Sequence, residues 1–121
     1  AYFYDADILD HPHAPTRAGV VGVLDWLRPL CGPDSDHRLL IHCDAGLGRS
    51  TACGYLAWFL HLGPGREEEA FHRMVRSSHE TKLVPNSIII AHADDLLNRH
   101  GTLKAPLTAW NKRVPWRRTF R

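Results

Sequence analysis

The residues best suited to chemistry lie between His42 and Thr51, where the sequence reads HCDAGLGRST. Cys43 is followed by five residues and then by Arg49 and Ser50. An apolar run before this segment predicts a buried strand, and the run after it predicts a helix, so the glycine-bearing stretch between them is predicted to be a loop. Such a loop can turn backbone N–H groups toward one point, and the N-terminus of the next helix adds partial positive charge. The segment therefore predicts a binding site for an anion.

The side chains of this loop suit phosphate chemistry in particular. A thiol beside inward-pointing N–H groups and a helix N-terminus ionises below its ordinary pKa of about 8.5, so Cys43 is predicted to be a nucleophile at neutral pH. The planar guanidinium of Arg49 can hold two oxygens of a phosphate group. Gly46 and Gly48 keep bulk out of the loop and can adopt the backbone angles that it requires.

The segment HCDAGLGRS resembles the active-site motif of the cysteine-dependent protein tyrosine and dual-specificity phosphatases, in their small bacterial type. Residues from Val84, which read VPNSIIIAHADDLLNRHG, are similar to a VPN-plus-helix segment of that group. The stretch FYDADI, with Pro15 and Thr16 after it, is similar to the acidic loop region of the same group. The likeness covers roughly residues 3–105.

This resemblance implies an α/β chain with a three-layer cysteine-phosphatase fold, in which helices flank a central, mainly parallel sheet. It also implies two parts, a phosphatase catalytic domain over residues 1–105 and a basic C-terminal tail over residues 106–121. Only two strands are evident, at residues 1–8 and 38–42, and the chain starts at Ala1 inside the first of them. We therefore expect further strands before Ala1 in the native protein.

The resemblance implies a role for each loop residue. Cys43 attacks the phosphoryl group to give a phosphocysteine intermediate, and Ser50 assists departure of the thiolate in the second step. His42 tunes the cysteine through hydrogen bonds. Asn86 supports the loop or serves only as a helix cap. The phosphate oxygens are bound by the Arg49 guanidinium and by the backbone amides of Asp44, Ala45, Gly46, Leu47, Gly48 and Arg49. No metal or other cofactor is expected, because these groups supply the positive field that a cation would give.

The general acid is an upstream aspartate that protonates the leaving oxygen and then activates water. Three candidates precede Cys43 by 33 to 38 residues, namely Asp10, Asp7 and Asp5. Asp7 is preferred because it stands at the end of the predicted strand in an Asp-Ile pair like that of the resembled group. Asp10 is the first alternative, since its loop can swing over the site.

Composition indicates which kinds of partner the protein binds and in which compartment it is found. The chain has 121 residues, 44% of them hydrophobic, and a formal net charge of only +2, so nucleic acid is not predicted as a partner. Five cations and no acid in the last ten residues predict a tail that contacts an acidic surface or is simply solvated. Three cysteines without a CxxC pair indicate a reducing, cytoplasmic location. No apolar run is long enough to span a membrane.

Helical periodicity accounts for most of the chain. Helices are predicted over residues 17–30 with Thr16 as N-cap, over 49–62, from Glu67 onward, and over 86–100. Asp94 and Asp95 are expected on a solvated face of the last one. Cys31 and Cys53 are expected to be small core residues, and the pair His11 and His13 is only a weak metal signal.

The substrate predicted is a phosphoprotein, with phosphotyrosine favoured. Asp44 adds a negative charge inside the loop, which argues against a highly charged inositol head group. Two alternatives stay open: a phosphate-binding module without turnover, which needs no general acid, and a sulfurtransferase of the rhodanese kind. The latter usually has a shorter loop and lacks the hydroxyl that Ser50 supplies.

Overall fold

A computed structural model describes residues 15–32, 48–78, 83 and 85–113 of the chain. These residues form five helices: α1 (Arg17–Cys31), α2 (Arg49–Leu62), α3 (Glu67–Ser77), α4 (Ser87–Leu96) and α5 (Ala105–Arg113). Helices account for 75% of the described residues. No strand or sheet is found among them.

The predicted α/β fold with a central parallel sheet is therefore wrong. Each helix buries its apolar stripe against another helix, where the three-layer prediction required a sheet. α2 packs on α1, α3 and α4, while α1 also packs on α4 and α3 on α5. The two predicted strands, at residues 1–8 and 38–42, lie outside the described residues. The described part of the chain is a set of helices that pack against one another.

α2 lies at the centre of this assembly. Its buried face includes Ala52, Tyr55 and Leu56, none of which is accessible to solvent. The ring of Tyr55 meets that of Phe71 on α3 edge to face, with 5.1 Å between centroids. The Tyr55 hydroxyl donates a 2.7 Å hydrogen bond to the carbonyl of Leu103, so this buried polar group is satisfied. The central helix is thus held to the chain that follows α4.

The helix predictions agree with the structure for three of the four helices. α1 begins after Thr16, whose hydroxyl accepts a hydrogen bond from the N–H of Gly19 at 3.0 Å. α2 has the predicted bounds, and Gly63, whose φ is +96°, is its C-cap residue. α3 begins at Glu67 as predicted.

α4 is shorter than predicted, since it ends at Leu96 and not at His100. Asn98 and His100 both have positive φ, at 54° and 56°, which no α-helix tolerates in its interior. The Asp94 carboxylate draws the chain into this turn by accepting from the N–H groups of Gly101 (2.9 Å) and Leu103 (3.0 Å). Residues 97–100, which were predicted to be the last turn of the helix, therefore form a turn that the Asp94 carboxylate stabilises.

The predicted C-terminal tail begins with α5. Leu107 is buried, and the half-buried Trp110 donates from its indole Nε1 to the carbonyl of Leu83 at 2.9 Å. The Trp110 ring lies 6.0 Å from that of Phe71. This half of the tail is packed, so the expectation of a solvated end does not hold for α5. Residues 114–121 lie outside the described residues.

None of the described helices is long and apolar enough to cross a membrane.

Candidate functional site

The structure describes one end of the predicted phosphate loop. Gly48, Arg49, Ser50 and the supporting Asn86 are all placed. The remaining predicted site residues lie outside the described ranges: Asp5, Asp7, Asp10, His42, Cys43, Asp44, Ala45, Gly46 and Leu47.

α2 begins at the residue where the loop motif requires a helix to begin. Gly48 is the N-cap residue and Arg49 the first residue of the helix. Glycine has no side chain to accept hydrogen bonds from the first-turn N–H groups, and no acidic residue occupies that turn. Arg49 and Ser50 are half-buried. The positive end of the α2 dipole therefore coincides with the arginine that the motif assigns to phosphate.

The carbonyl oxygen of Gly48 joins two segments that are distant in the sequence. It accepts hydrogen bonds from the backbone N–H of Asn86 at 3.0 Å, from the Thr51 hydroxyl at 3.0 Å and from the backbone N–H of Ala52 at 3.1 Å. The Ala52 bond is the ordinary first bond of α2. The Asn86 bond ties the start of α2 to the start of α4.

Asn86 uses its side chain and its backbone for different purposes. The side-chain Oδ1 accepts from the N–H groups of Ile88 (2.9 Å) and Ile89 (3.0 Å), which is an N-cap of α4. The backbone N–H of Asn86 reaches Gly48. The structure thus shows the helix cap and a backbone bond to Gly48, and support of the phosphate loop by Asn86 stays a prediction.

Two helix N-termini meet at this contact. The first turn of α4, like that of α2, contains no acidic residue. α3 differs, because Glu67, Glu68 and Glu69 fill its first turn. Because like ends of helix dipoles repel each other, an anion bound near both would stabilise the junction. We call Gly48, Arg49, Thr51 and Asn86 the Gly48 junction.

Thr51 is a junction residue that the sequence analysis did not single out. Its side chain is buried, with 5% exposure, and its hydroxyl donates to the carbonyl three residues earlier. Threonine in the first turn of a helix can make this bond, so its position three residues after Gly48 was the sequence signal that could have predicted the contact. The backbone bond from Asn86 had no such signal, since it depends on no side chain.

The two other cysteines are core residues, as predicted. Cys53 is fully buried on α2 and Cys31 is 6% exposed on α1. Burial raises the pKa of the Cys31 thiol to about 11, which makes it a poor nucleophile at neutral pH.

A second polar region lies where α3, α4 and the turn after α4 meet. Glu67, 6% exposed, accepts from the Arg99 guanidinium at 3.1 Å. Burial acts to raise the pKa of Glu67, but the hydroxyl of Thr102 and the guanidinium of Arg99 outweigh it, so the pKa lies below its ordinary value of 4.5. Burial, assisted by the charges of Glu67 and Asp94, raises the pKa of the Tyr55 hydroxyl. We call Glu67, Asp94 and Arg99 the buried acid cluster.

The prediction for the two aspartates of α4 is half right. Asp95 is exposed, as expected, and pairs with Arg17 of α1. Asp94 is only 4% exposed, so the expectation of a solvated position is wrong for it. The carboxylates of Asp94 and Asp95 also line a surface hollow with His100 and Lys104. Both already have partners within the chain, so the hollow offers a ligand no unpaired acid.

No protein-family model, curated protein or solved structure matches this chain. The resemblance to the cysteine-dependent phosphatases thus stays a prediction from its motifs.

Proposed function

We propose that the chain is a cysteine-dependent phosphatase that hydrolyses phosphoprotein monoesters, with phosphotyrosine favoured. The Cys43 thiolate attacks phosphorus, a sulfur–phosphorus bond forms, and the ester P–O bond breaks as an upstream aspartate, Asp7 first, donates its proton to the leaving oxygen. Water then attacks the phosphocysteine, the same aspartate takes a proton from that water, and Cys43 leaves as thiolate with help from Ser50.

The hydrogen bond from the Asn86 N–H to the Gly48 carbonyl carries this proposal. It brings two segments that were assigned to one site, from their sequences alone, within 3.0 Å of each other. It does so at the start of α2, beside Arg49 and away from any first-turn carboxylate. This arrangement supports binding of a doubly charged anion, which phosphate monoesters are at neutral pH.

The proposal does not depend on the α/β fold that proved wrong. A phosphate site of this kind needs a loop, a helix N-terminus and an arginine at the correct spacing, and different folds can supply them. The buried Cys31 and Cys53 leave Cys43 as the candidate nucleophile. We place the enzyme in the reducing cytoplasm, where its substrate would be a phosphorylated protein and its basic tail would meet an acidic surface.

Turnover of para-nitrophenyl phosphate, measured beside Cys43→Ser, tests the proposal. We expect metal-independent release of nitrophenol by the wild type and none by the variant, with unchanged binding of inorganic phosphate. Phosphate binding without turnover would indicate a binding module instead. Turnover of thiosulfate, with sulfur transfer to cyanide, would indicate a sulfurtransferase.

The general acid can be identified from how the rate of each variant depends on the basicity of the leaving group. A general acid matters most when the leaving oxygen is strongly basic. Replacement of Asp7 by Ala should therefore slow hydrolysis of phenyl phosphate far more than that of an ester with an acidic phenol. The same comparison for Asp10→Ala and Asp5→Ala assigns the role if Asp7→Ala leaves both rates unchanged.

A further inference from the structure

We propose that Thr51 is a positioning residue of the phosphate site, which sets the orientation of the peptide group between Gly48 and Arg49. This inference rests on the proposed function and concerns a residue to which the motif assigns no role. Its basis is the hydrogen bond from the Thr51 hydroxyl to the Gly48 carbonyl.

The geometry of the peptide group carries the argument. In a planar trans peptide the C=O and the N–H point in opposite directions, and the structure contains no cis bond among its described residues. The Gly48 carbonyl points toward Thr51, Ala52 and Asn86, with contacts of 3.0 to 3.1 Å. The N–H of Arg49, across the same peptide bond, therefore points away from them, beyond the N-terminal end of α2. This N–H is among the donors assigned to the phosphate oxygens.

The three donors do not constrain this peptide equally. The Ala52 N–H lies along α2 and comes with any helix, whereas Asn86 belongs to a different helix. Gly48 has no Cβ, and glycine rotates more freely about its backbone bonds than any other residue. The Thr51 hydroxyl bonds the Gly48 carbonyl from within α2. Threonine in a helix populates two χ1 rotamers, and the bond to the Gly48 carbonyl selects one of them, so the hydroxyl is in place before the anion arrives.

Donors that are oriented before the reaction stabilise the developing charge without reorganisation. Loss of the Thr51 hydroxyl should therefore affect the transition state more than the bound substrate. Orthovanadate, which adopts the five-coordinate geometry of that state, should report the loss more strongly than inorganic phosphate, which has the tetrahedral geometry of the substrate.

The test compares Thr51→Val, which removes the hydroxyl and keeps the shape, with Thr51→Ser, which keeps the hydroxyl. For Thr51→Val we expect kcat for para-nitrophenyl phosphate and vanadate affinity to fall roughly ten-fold, the effect of one hydrogen bond, while KM changes less than about two-fold. Thr51→Ser should restore most of kcat. Thr108→Val is the matched control, because the Thr108 hydroxyl makes the same kind of bond, to Lys104, on α5.

Each outcome decides the question. An active wild type with an unchanged kcat in Thr51→Val would overturn the positioning role and leave the proposed function standing. A reduced kcat that Thr51→Ser does not restore would make Thr51 a packing residue only, and so would an equal loss of kcat in Thr108→Val. If Thr51→Val does not fold, Thr51→Ala and Thr51→Ser give the same contrast. A wild type without turnover would overturn the proposed function, and this inference with it.

Discussion

The Gly48 junction and the buried acid cluster differ in whether the first turn of the helix contains acidic residues. At the start of α3, Glu67 pairs with Arg99, and the two other glutamates of that turn stand beside it. At the starts of α2 and α4 there is no carboxylate in the first turn, although two positive helix ends meet there. In the buried acid cluster a carboxylate of the first turn meets a guanidinium, whereas the first turns of α2 and α4 contain no acidic residue.

This difference separates a structural polar site from a candidate binding site. In the buried acid cluster each carboxylate oxygen of Asp94 accepts from a backbone N–H, and Glu67 is paired with Arg99, so both acids already have partners within the chain. At the Gly48 junction the hydrogen bonds to the Gly48 carbonyl fix the backbone and involve no carboxylate. Burial alone would favour the buried acid cluster, since Asp94 and Glu67 are more buried than Arg49.

The largest effect is expected from Arg49→Lys. Lysine keeps the charge but loses the planar pair of donors that holds two phosphate oxygens. Removal of one such donor commonly costs about a hundred-fold or more in kcat, so we expect at least this loss with para-nitrophenyl phosphate. The midpoint of urea unfolding should stay near that of the wild type. A variant with more than a third of wild-type kcat would contradict the assignment of Arg49.

The second prediction concerns the buried acid cluster, where a substitution should lower stability and leave kcat unchanged. Asp94→Ala leaves the N–H groups of Gly101 and Leu103 without their acceptor, and each buried orphan donor costs about 1–3 kcal/mol. We expect the free energy of unfolding in urea to fall by about 2–4 kcal/mol, with kcat unchanged in the folded fraction. Asp95→Ala is the matched control on the next residue: its carboxylate is exposed and should change stability little. Equal losses for the two variants would show that the Asp94 contacts are not decisive.

The sequence was sufficient for α1, α2 and the start of α3 because their signals are local, whereas the end of α4 and the whole of α5 were not predicted. Glycine at both ends and a run of apolar residues at helical spacing defined Arg49–Leu62, and the apolar residues at that spacing, Ala52, Tyr55, Leu56 and Phe59, are buried. Asp94 had a signal that was overlooked, since it follows the buried Ile90 by four residues and so shares its face. Its acceptor role depends on a turn with two residues of positive φ, which no periodicity indicates.

The fold class was wrong because the central sheet was inferred from the family resemblance, whereas the described residues form helices that pack on one another. The two apolar runs predicted as strands lie outside the described residues. The link between Gly48 and Asn86 could be expected only through that resemblance. It joins a carbonyl and an N–H, which every residue other than proline possesses, across a long stretch of sequence.

A third prediction separates the two uses of Asn86. Asn86→Ala removes the N-cap of α4, which should lower the free energy of unfolding by about 1 kcal/mol. The backbone N–H to Gly48 remains, so kcat for para-nitrophenyl phosphate should change less than about three-fold. Asn86→Ser keeps a neutral cap and should recover most of the stability. A large loss of kcat in both variants would assign the amide side chain to the phosphate site itself.

The smallest effect is a pH dependence that belongs to the buried acid cluster. The pKa of Glu67 is lower in the folded chain than its ordinary value of 4.5, so its ionised form stabilises the fold at higher pH. That contribution is complete above pH 4.5 and is lost as the pH falls through the lower, folded pKa. The wild type should therefore be more stable than Glu67→Gln near pH 6, and the two urea midpoints should converge toward pH 3. Glu68→Gln removes the same charge from an exposed position on α3 and should follow the wild type throughout. A difference between wild type and Glu67→Gln that stays constant from pH 6 to pH 3 would mean that Glu67 contributes by packing and not by its charge.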